Sequence, residues 1–270
     1  MREVDSNRPI GVFDSGVGGL TVVREIQNHL PHEDIVYFGD TAHLPYGTKS
    51  RLQIIRFSSC ALKFLANLKI KLLVVACNSS SAVALPTLKR RLHLPILGVI
   101  EPGVRDAVYA TSNKRIGIIG TRATIESGVY QRKIKRLDPD VKVIAKACPL
   151  FVPMVEEGRT GDEATLLVAR EYLEPLKGEG VDTLILGCTH YPLLKAVVAR
   201  AMGGGVKLID SAHSVAAQVK EVLGRRGMLA SRGKASMKFY VSDWPENFKA
   251  LGKGFLGQEL RQVKGVRLDV

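Results

Sequence analysis

The sequence predicts an α/β protein with two pseudo-symmetric lobes. In each lobe a mostly parallel sheet is flanked by helices, and the active site is expected in the cleft between the lobes. Two observations support this prediction. Short apolar runs rich in β-branched residues alternate with amphipathic stretches along almost the whole chain, as expected for strands that helices cover on both faces. The second half of the chain also repeats features of the first.

Apolar runs along the chain are predicted as strands. In chain order they are Ile10–Phe13, Ile35–Phe38, Leu72–Ala76, Ile96–Val99, Arg115–Ile119, Val141–Ala145, Thr183–Leu186, Val206–Ile209 and Lys238–Val241. Helical stripes lie between them, among them Leu20, Val23, Ile26 and Leu30, and Ile54, Phe57, Ala61, Leu65 and Leu68. Pro31 ends the first stripe, because proline cannot continue a helix.

The internal repeat places two cysteines in equivalent positions. Residues 9–13 (PIGVF) open one half and residues 115–119 (RIGII) open the other, and a later strand in each half leads to Cys77 or Cys188. Ligands of open parallel sheets bind at the carboxyl ends of the strands. Both thiols are therefore expected in one cleft.

The predicted lobes divide the chain unequally. The first lobe comprises residues 1–100 plus 208–270, and the second comprises residues 101–207. The chain is expected to cross between them near Glu101-Pro102-Gly103. The last stretch is expected to return to the first lobe.

Composition narrows the classes of function. The net charge is +13, but the basic residues occur in short runs, such as residues 89–91 and 132–136, and aromatic residues (6%) do not interleave with them. Solvated helix faces account for such runs, so nucleic acid is not expected as the main partner. There is no apolar run of membrane-spanning length and no apolar leader in the first ten residues. We therefore expect no membrane contact and a cytoplasmic location.

The four cysteines are widely spaced and include no CxxC pair. A structural zinc site usually contains one closely spaced ligand pair, so no metal is predicted among them. Cys60, within an amphipathic stretch, and Cys148, before a proline, are predicted as structural residues. Cys77 and Cys188 differ because each follows a buried strand and precedes polar residues.

Cys77 follows the run Leu72–Ala76 and precedes Asn78, Ser79 and two further serines. Small hydroxyl residues favour the start of a helix, where backbone N–H groups would point at the thiol and at a carboxylate beside it. Such a setting is expected to lower the pKa of the thiol and to favour the reactive thiolate. A buried core cysteine is the alternative interpretation.

Cys188 has the same surroundings in sequence. A strand leads to it, Thr189 follows, and Pro192 stands where the first turn of a helix accepts proline. His190 is close enough in sequence to share a pocket with the thiol, although a lone histidine is more often structural. Two such cysteines could approach a bound molecule from opposite sides.

Two further loops are predicted to line the cleft. DSGVGG (residues 14–19) follows the first strand but lacks both GxGxxG and a Walker lysine, so dinucleotide binding is not predicted. Its glycines let the backbone come close to a ligand, and Asp14 would be a charged group at the mouth of the cleft. A helix-capping role is the alternative for Asp14 and Ser15. GDTAHLPYG (residues 39–47) follows the second strand.

Taken together, these motifs closely resemble those of the bacterial glutamate racemases, within the cofactor-independent aspartate/glutamate racemases. They occur in the order of that family and cover about residues 9 to 210. They are DSGVGGLTV (residues 14–22), GDTAHLPYG (39–47), ACNSSS (76–81), IGTRATIESGVY (119–130), FVPMVEEG (151–158) and LGCTHYPLL (186–194).

The resemblance implies racemisation of L- and D-glutamate by two thiols, with no cofactor and no metal. Cys77 would exchange the proton of the D-isomer with help from Asp14, and Cys188 that of the L-isomer with help from His190. Glu156 matches a further carboxylate near the second thiol. The implied substrate-binding residues are Asp14, Ser15, Tyr46, Gly47, Asn78, Ser79, Thr121, Thr189 and His190. The resemblance also implies a homodimer and a role in supplying D-glutamate for peptidoglycan synthesis.

One departure from the family pattern is visible. Ser79 and Ser80 stand where the family usually has threonine and alanine. Ser79 keeps the hydroxyl, so binding is expected to survive, whereas Ser80 adds a polar group whose consequence the sequence leaves open.

The chemistry also follows from the reaction itself. Inverting a carbon requires removal of its proton on one face and return of a proton on the other, by bases whose pKa lies near the working pH. Without a cofactor, placed donors in a dry cleft must stabilise the carbanion-like state. A racemase for aspartate or another small acid, and an added role in binding nucleic acid or DNA gyrase through the basic surface, stay open as alternatives. A thiol–disulfide protein is disfavoured because neither thiol has a partner cysteine nearby in sequence.

Overall fold

The structure, a computed structural model, describes residues 6–91, 94–230 and 235–268. Its strands are β1 (Ile10–Asp14), β2 (Ile35–Gly39), β3 (Leu72–Val75), β4 (Ile96–Gly98), β5 (Arg115–Gly120), β6 (Lys142–Ala147), β7 (Thr183–Gly187), β8 (Lys207–Asp210), β9 (Met237–Val241) and β10 (Val263–Gly265). Residues 1–5, which form half of the segment on which the expectation of no leader rests, lie outside the described residues.

Helices connect these strands. They are α1 (Leu20–His29), α2 (Arg51–Asn67), α3 (Asn78–Val83), α4 (Leu85–Lys89), α5 (Ile100–Ala110), α6 (Arg122–Glu126), α7 (Val129–Leu137), α8 (Phe151–Glu156), α9 (Glu163–Gly178), α10 (Lys195–Met202), α11 (Ser211–Arg225) and α12 (Pro245–Leu256). Short 3₁₀ turns occupy Thr41–His43, Tyr46–Thr48 and Tyr191–Leu194.

The strands form two sheets, and each strand pairing within the described ranges is parallel. The first sheet has the order β10-β9-β2-β1-β3-β4 and the second has the order β6-β5-β7-β8. The segments β2-β1-β3-β4 and β6-β5-β7-β8 have the same connectivity. The internal repeat predicted from the sequence is therefore a repeat of topology, and it makes β3 equivalent to β7.

Helices cover both faces of the first sheet, which explains its continuous apolar strands. Along β3, Leu72 and Val74 belong to the core cluster that contains α1 and α11 residues. Leu73 and Val75 belong to the cluster that contains α2 residues. Because successive side chains of a strand point to opposite faces, a strand buried on both sides needs an apolar residue at each position. The α/β prediction with mostly parallel sheets is confirmed.

Each of the nine predicted strands corresponds to a strand of the structure, from β1 to β9. β10 was not predicted, because its residues Val263, Lys264 and Gly265 are partly or fully exposed and form no apolar run. The predicted boundary between residues 207 and 208 passes through β8, whose Leu208 pairs with Leu184 of β7 in the second sheet. Any return to the first lobe can therefore begin only after Asp210. The division into lobes is otherwise kept as a prediction.

The basic run on α7 lies on a solvent-facing surface. Arg132, Lys135 and Arg136 are exposed or nearly so, while Ile134 between them is buried. A solvated helix face therefore accounts for this run. Within the described ranges, no helix has both the length and the apolar character needed to cross a bilayer.

Candidate active site

A cavity lies where the carboxyl ends of the two sheets face each other, and both predicted thiols line it. Cys77 comes from the first lobe and Cys188 from the second, and they are only 5% and 7% exposed. The residues lining the cavity are Ser15, Gly16, Leu44, Pro45, Tyr46, Gly47, Cys77, Asn78, Ser79, Thr121, Val152, Glu156, Cys188, Thr189 and His190. Each predicted site residue except Asp14 is among them.

Cys77 forms the amino-terminal boundary of α3, as the run of small polar residues after it predicted. Its Sγ lies 3.5 Å from Ser15 Oγ. Burial and the negative charge of Asp14 nevertheless raise the pKa of the Cys77 thiol to about 11, although hydrogen bonds from Ser80 and Ser15 oppose that change. The expectation of a lowered pKa at this cysteine is therefore wrong. Loss of hydration around the buried thiol raises its pKa more than the N–H donors of the short helix lower it.

Asp14 ends β1 and lies behind the cavity wall. Its carboxylate accepts a hydrogen bond from the Gly16 N–H at 3.0 Å and one from the Thr189 hydroxyl at 3.5 Å. Asp14 is fully buried, so the prediction of a carboxylate at the mouth of the cleft is wrong. Burial raises its pKa, while the positive charge of His190 and the hydrogen bonds from Gly16, Gly19 and Thr189 act in the opposite direction.

Cys188 follows β7 and has a basic partner. His190 Nδ1 lies 3.9 Å from Cys188 Sγ, and His190 Nε2 lies 2.9 Å from Glu156 Oε1 at the end of α8. Burial lowers the pKa of His190, but the hydrogen bonds to Cys188 and Glu156 outweigh it and raise that pKa to about 10. His190 is therefore an imidazolium at neutral pH, held between a sulfur and a carboxylate.

Polar side chains of the two lobes meet across the cavity. The hydroxyls of Ser79 and Thr121 lie 2.9 Å apart, and Tyr130 donates a hydrogen bond of 2.7 Å to Asn78 Oδ1. Ser79 and Asn78 belong to the first lobe, whereas Thr121 and Tyr130 belong to the second. Because Asn78 Oδ1 accepts from Tyr130, its NH₂ group is left to face a ligand.

Gly18 and Gly19 of the DSGVGG loop have a different role from the one predicted, whereas Gly16 lines the cavity. A Cβ on Gly18 would lie 2.3 Å from Thr189 Oγ1 and 2.5 Å from His190 Nδ1, and a Cβ on Gly19 would lie 2.5 Å from Asp14 Cβ. Gly18 therefore lets the loop of the second lobe that carries Thr189 and His190 pack against the first lobe, whereas Gly19 makes room for Asp14 and Tyr37 within the first lobe. Gly47 acts as Gly18 does, on the other side, since its Cβ would lie 2.6 Å from Thr121 Cβ.

Tyr46 and Ser80 have partners that the sequence did not indicate. The Tyr46 hydroxyl donates to Asp40 Oδ2 at 2.6 Å, so this residue presents its ring to the cavity while its hydroxyl is engaged behind the wall. Ser80 is fully buried and accepts a hydrogen bond of 3.0 Å from Ser58 of α2. The polar group that Ser80 adds is therefore paired within the first lobe.

Some contributors to the site were missed. Leu44, Pro45 and Val152 supply apolar wall, and Tyr130 holds Asn78 from behind. All of them lie within the motifs quoted above, so the motifs indicated the segments. What the sequence did not give was the direction of each side chain.

Comparison with known proteins places the chain among amino-acid racemases. Residues 11–219 match the family described as Asp/Glu/Hydantoin racemase. A glutamate racemase of Geobacter metallireducens is 51% identical over 263 residues, which is 97% of each chain. The crystal structure of glutamate racemase from Francisella tularensis in complex with D-glutamate is similar, with a TM-score of 0.93 and 40% identity over 98% of this chain and 99% of that one. The RacE1 glutamate racemase of Bacillus anthracis gives a TM-score of 0.95 at 38% identity, over 98% of this chain and 99% of that one.

Proposed function

The chain belongs to the Asp/Glu/Hydantoin racemase family, and on that premise we propose that it interconverts L- and D-glutamate by moving the α-proton between two thiols, without a cofactor. The observation that supports this most directly is the position of Cys77 and Cys188. They come from separate lobes, occupy equivalent strand ends and line one cavity.

The two thiols start from different protonation states. In the direction from L- to D-glutamate, Cys188 as thiolate removes the α-proton, and the neighbouring His190 imidazolium balances its charge. Cys77, kept as a thiol by its pKa of about 11, gives its proton to the opposite face of the α-carbon. The turnover ends with a Cys188 thiol and a Cys77 thiolate, and exchange of protons with solvent restores the first state. The reverse direction uses the same steps backwards.

Asp14 is the group that assists proton exchange at Cys77. Its negative charge raises the pKa of the Cys77 thiol and so favours the protonated sulfur that gives its proton to the substrate. At Cys188 the charge has the opposite sign, because His190, paired with Glu156, lies beside the sulfur. Each thiol therefore has a neighbour that favours the protonation state it needs in the direction from L- to D-glutamate.

Donors on the cavity wall are suited to the carboxylates of glutamate. Asn78, Ser79, Thr121 and Thr189 offer amide and hydroxyl groups around the two sulfurs. Preorganised donors in a site that excludes water stabilise developing charge more than they would in solution. A substrate carboxylate bound there would lower the free energy of the carbanion-like state.

A direct assay tests this proposal. Purified protein without any added cofactor should convert L-glutamate until its circular dichroism signal reaches zero. Cys77→Ser and Cys188→Ser should each abolish this conversion, and Cys60→Ser, a change outside the cavity, should leave it unchanged. Turnover that persists in the double Cys77→Ser/Cys188→Ser variant would refute the proposed mechanism. Aspartate assayed in parallel should react much more slowly, and faster turnover of aspartate would assign the chain to that substrate instead.

Three further expectations belong to the same proposal. The D-glutamate formed would enter peptidoglycan synthesis, the enzyme would work in the cytoplasm, and two copies would associate as a homodimer. Light scattering on the eluting protein tests the dimer. Depletion of the protein in its host tests the biosynthetic role, because added D-glutamate should then rescue growth.

A further inference from the structure

Away from the cavity, the first lobe brings three metal-binding side chains together. Glu25 and His29 lie one helical turn apart on α1, and His213 lies on α11, which packs along α1. One ligand atom from each of the three lies within 4.8 Å of the other two. We propose that Glu25, His29 and His213 form a binding site for a divalent transition-metal ion, with zinc as the best match.

The spacing of two of the ligand atoms already suits zinc. His213 Nδ1 lies 3.4 Å from Glu25 Oε2. Zinc binds nitrogen and oxygen ligands at ~2.0–2.2 Å, so two ligands on a tetrahedron stand ~3.3–3.6 Å apart. An ion can therefore bridge these two atoms in place of the proton they share. The ring centroids of His29 and His213 lie 4.9 Å apart, and the ligand atoms of all three residues lie within 4.8 Å of one another, so the third ligand is close to the same ion.

His29 is oriented as a metal ligand. Its Nδ1 lies 2.9 Å from the backbone carbonyl of Glu25. A carbonyl only accepts hydrogen bonds, so Nδ1 carries the proton and, in the neutral ring, Nε2 keeps its lone pair. Metal-binding histidines in proteins are commonly held in this way. Arg24 approaches the other oxygen of Glu25, Oε1, at 3.8 Å, which leaves Oε2 to the ion.

A surface ion pair does not explain the whole cluster. Protonated His213 beside Glu25 accounts for one contact, but a second imidazole packed against the first adds repulsion if both rings carry charge. Two neutral imidazoles and one carboxylate form a ligand set that zinc uses, with solvent at the fourth position. The bound ion would tie α1, which follows the glycine loop of the cavity, to α11. The proposal does not depend on the proposed function.

Cobalt and zinc titrations test the site on the full-length protein, first stripped with a chelator. Cobalt(II) should bind at one equivalent per chain with the visible d–d bands of a tetrahedral ion and no thiolate charge-transfer band in the near ultraviolet, and zinc should displace it. His29→Gln and His213→Gln should each weaken binding by more than the ~10–100-fold that loss of an outer-shell partner costs. His32→Gln, a change in an exposed histidine just beyond α1, should bind as the unaltered protein does.

Two results would overturn the proposal. One is a titration that neither His29→Gln nor His213→Gln alters, and the other is a cobalt spectrum that shows thiolate ligation alone, since that would place the ion at the cysteines. Thermal unfolding gives an independent readout. Zinc should raise the midpoint of the unaltered protein and of His32→Gln but not that of the two ligand variants, whose folding is verified by circular dichroism.

Discussion

The two thiols of the cavity occupy equivalent places in the fold but have different surroundings. Cys77 follows β3 and Cys188 follows β7, the third strand of each repeated unit. The charge that acts on Cys77 is that of the buried Asp14 carboxylate, whereas next to Cys188 it is that of the His190 imidazolium. The duplicated topology therefore places one thiol on each side of the cavity. Different side chains beside the two thiols give the two sides of the cavity different charge.

This difference suggests how a symmetric reaction can run in an asymmetric site. One direction needs a thiolate at Cys188 and a thiol at Cys77, and the other needs the reverse. The imidazolium of His190 and the negative charge of Asp14 both favour the first arrangement, so the second forms during turnover, once Cys77 has given its proton to the substrate. Variants that change one thiol, or the charged neighbour of one thiol, can show whether Cys77 and Cys188 act as described.

Loss of either sulfur should have the largest effect. Cys77→Ser and Cys188→Ser should each lower kcat/KM for both enantiomers by ~10⁴-fold or more, the top of the range that one general acid–base group contributes, which abolishes conversion on the timescale of the assay. A serine hydroxyl is too weak an acid to replace the thiol in either half. Polarimetry from both pure enantiomers measures this. A large loss in one variant with normal turnover in the other would break the comparison.

Changes in the charged partners should distinguish the two halves. His190→Gln and Asp14→Asn should each lower kcat/KM by ~10²-fold, within the range for a general acid–base group. The loss must be equal in both directions because the enantiomers have equal free energy. The kinetic isotope effect distinguishes the two variants. In His190→Gln the isotope effect should grow for α-deuterated L-glutamate, since proton transfer to Cys188 becomes the slowest step. In Asp14→Asn it should grow for the D-isomer instead. The same pattern in both variants would contradict separate roles.

The contact between Tyr130 and Asn78 should affect binding more than proton transfer. Tyr130→Phe removes the hydrogen bond that orients the Asn78 amide, and a bond worth ~1–1.5 kcal/mol corresponds to a ~10-fold rise in KM. If Tyr130 acts through Asn78, Tyr130→Phe should have no further effect in an Asn78→Ala background. Tyr172→Phe, which alters a hydroxyl outside the cavity, is the matched control. Additive losses in the double variant would show that Tyr130 acts in another way.

The charge on His190 should also be visible in stability. Its pKa is raised to about 10 from the ordinary histidine value of 6.5, so between these values the folded state binds more protons than the unfolded state. The stabilisation is complete below about pH 6.5 and is lost as pH rises towards 10. The difference in unfolding free energy between the unaltered protein and His190→Gln should therefore shrink over that interval in denaturant titrations. A difference that is constant over this pH interval would mean that folding does not raise the pKa of His190.

The smallest effect is expected for the buried serine pair beneath Cys77. Ser80→Ala leaves the Ser58 hydroxyl buried without its partner, which costs ~1–3 kcal/mol of unfolding free energy. Removing both hydroxyls in Ser58→Ala/Ser80→Ala should restore most of that loss. Denaturant titration measures it. A double variant as unstable as Ser80→Ala would show that the loss of stability does not come from the unpaired Ser58 hydroxyl.

The fold was largely predictable because its signal is local. A strand buried on both faces needs continuous apolar residues, and such runs marked β1 to β9. β10 escaped because it is an exposed edge strand. The equivalence of Cys77 and Cys188 was also visible, since a repeated topology leaves repeated strand ends.

The properties of the site were less predictable because they depend on contacts between distant segments. The pKa of Cys77 was predicted in the wrong direction, since sequence shows the donors of α3 but not the loss of hydration around the sulfur. The partners of Ser80 and Asn78 lie 22 and 52 residues away in the chain. No local pattern indicates such pairs.

One labelling experiment tests most directly whether two bases act on opposite faces. L-glutamate is incubated with the protein in D₂O, and both enantiomers are analysed by mass spectrometry at low conversion. We expect deuterium at the α-carbon of nearly all D-glutamate formed and almost none in the remaining L-glutamate, because each face of the α-carbon is served by its own thiol. Unlabelled product, or deuterium entering substrate and product equally, would indicate a single base and contradict the two-thiol mechanism.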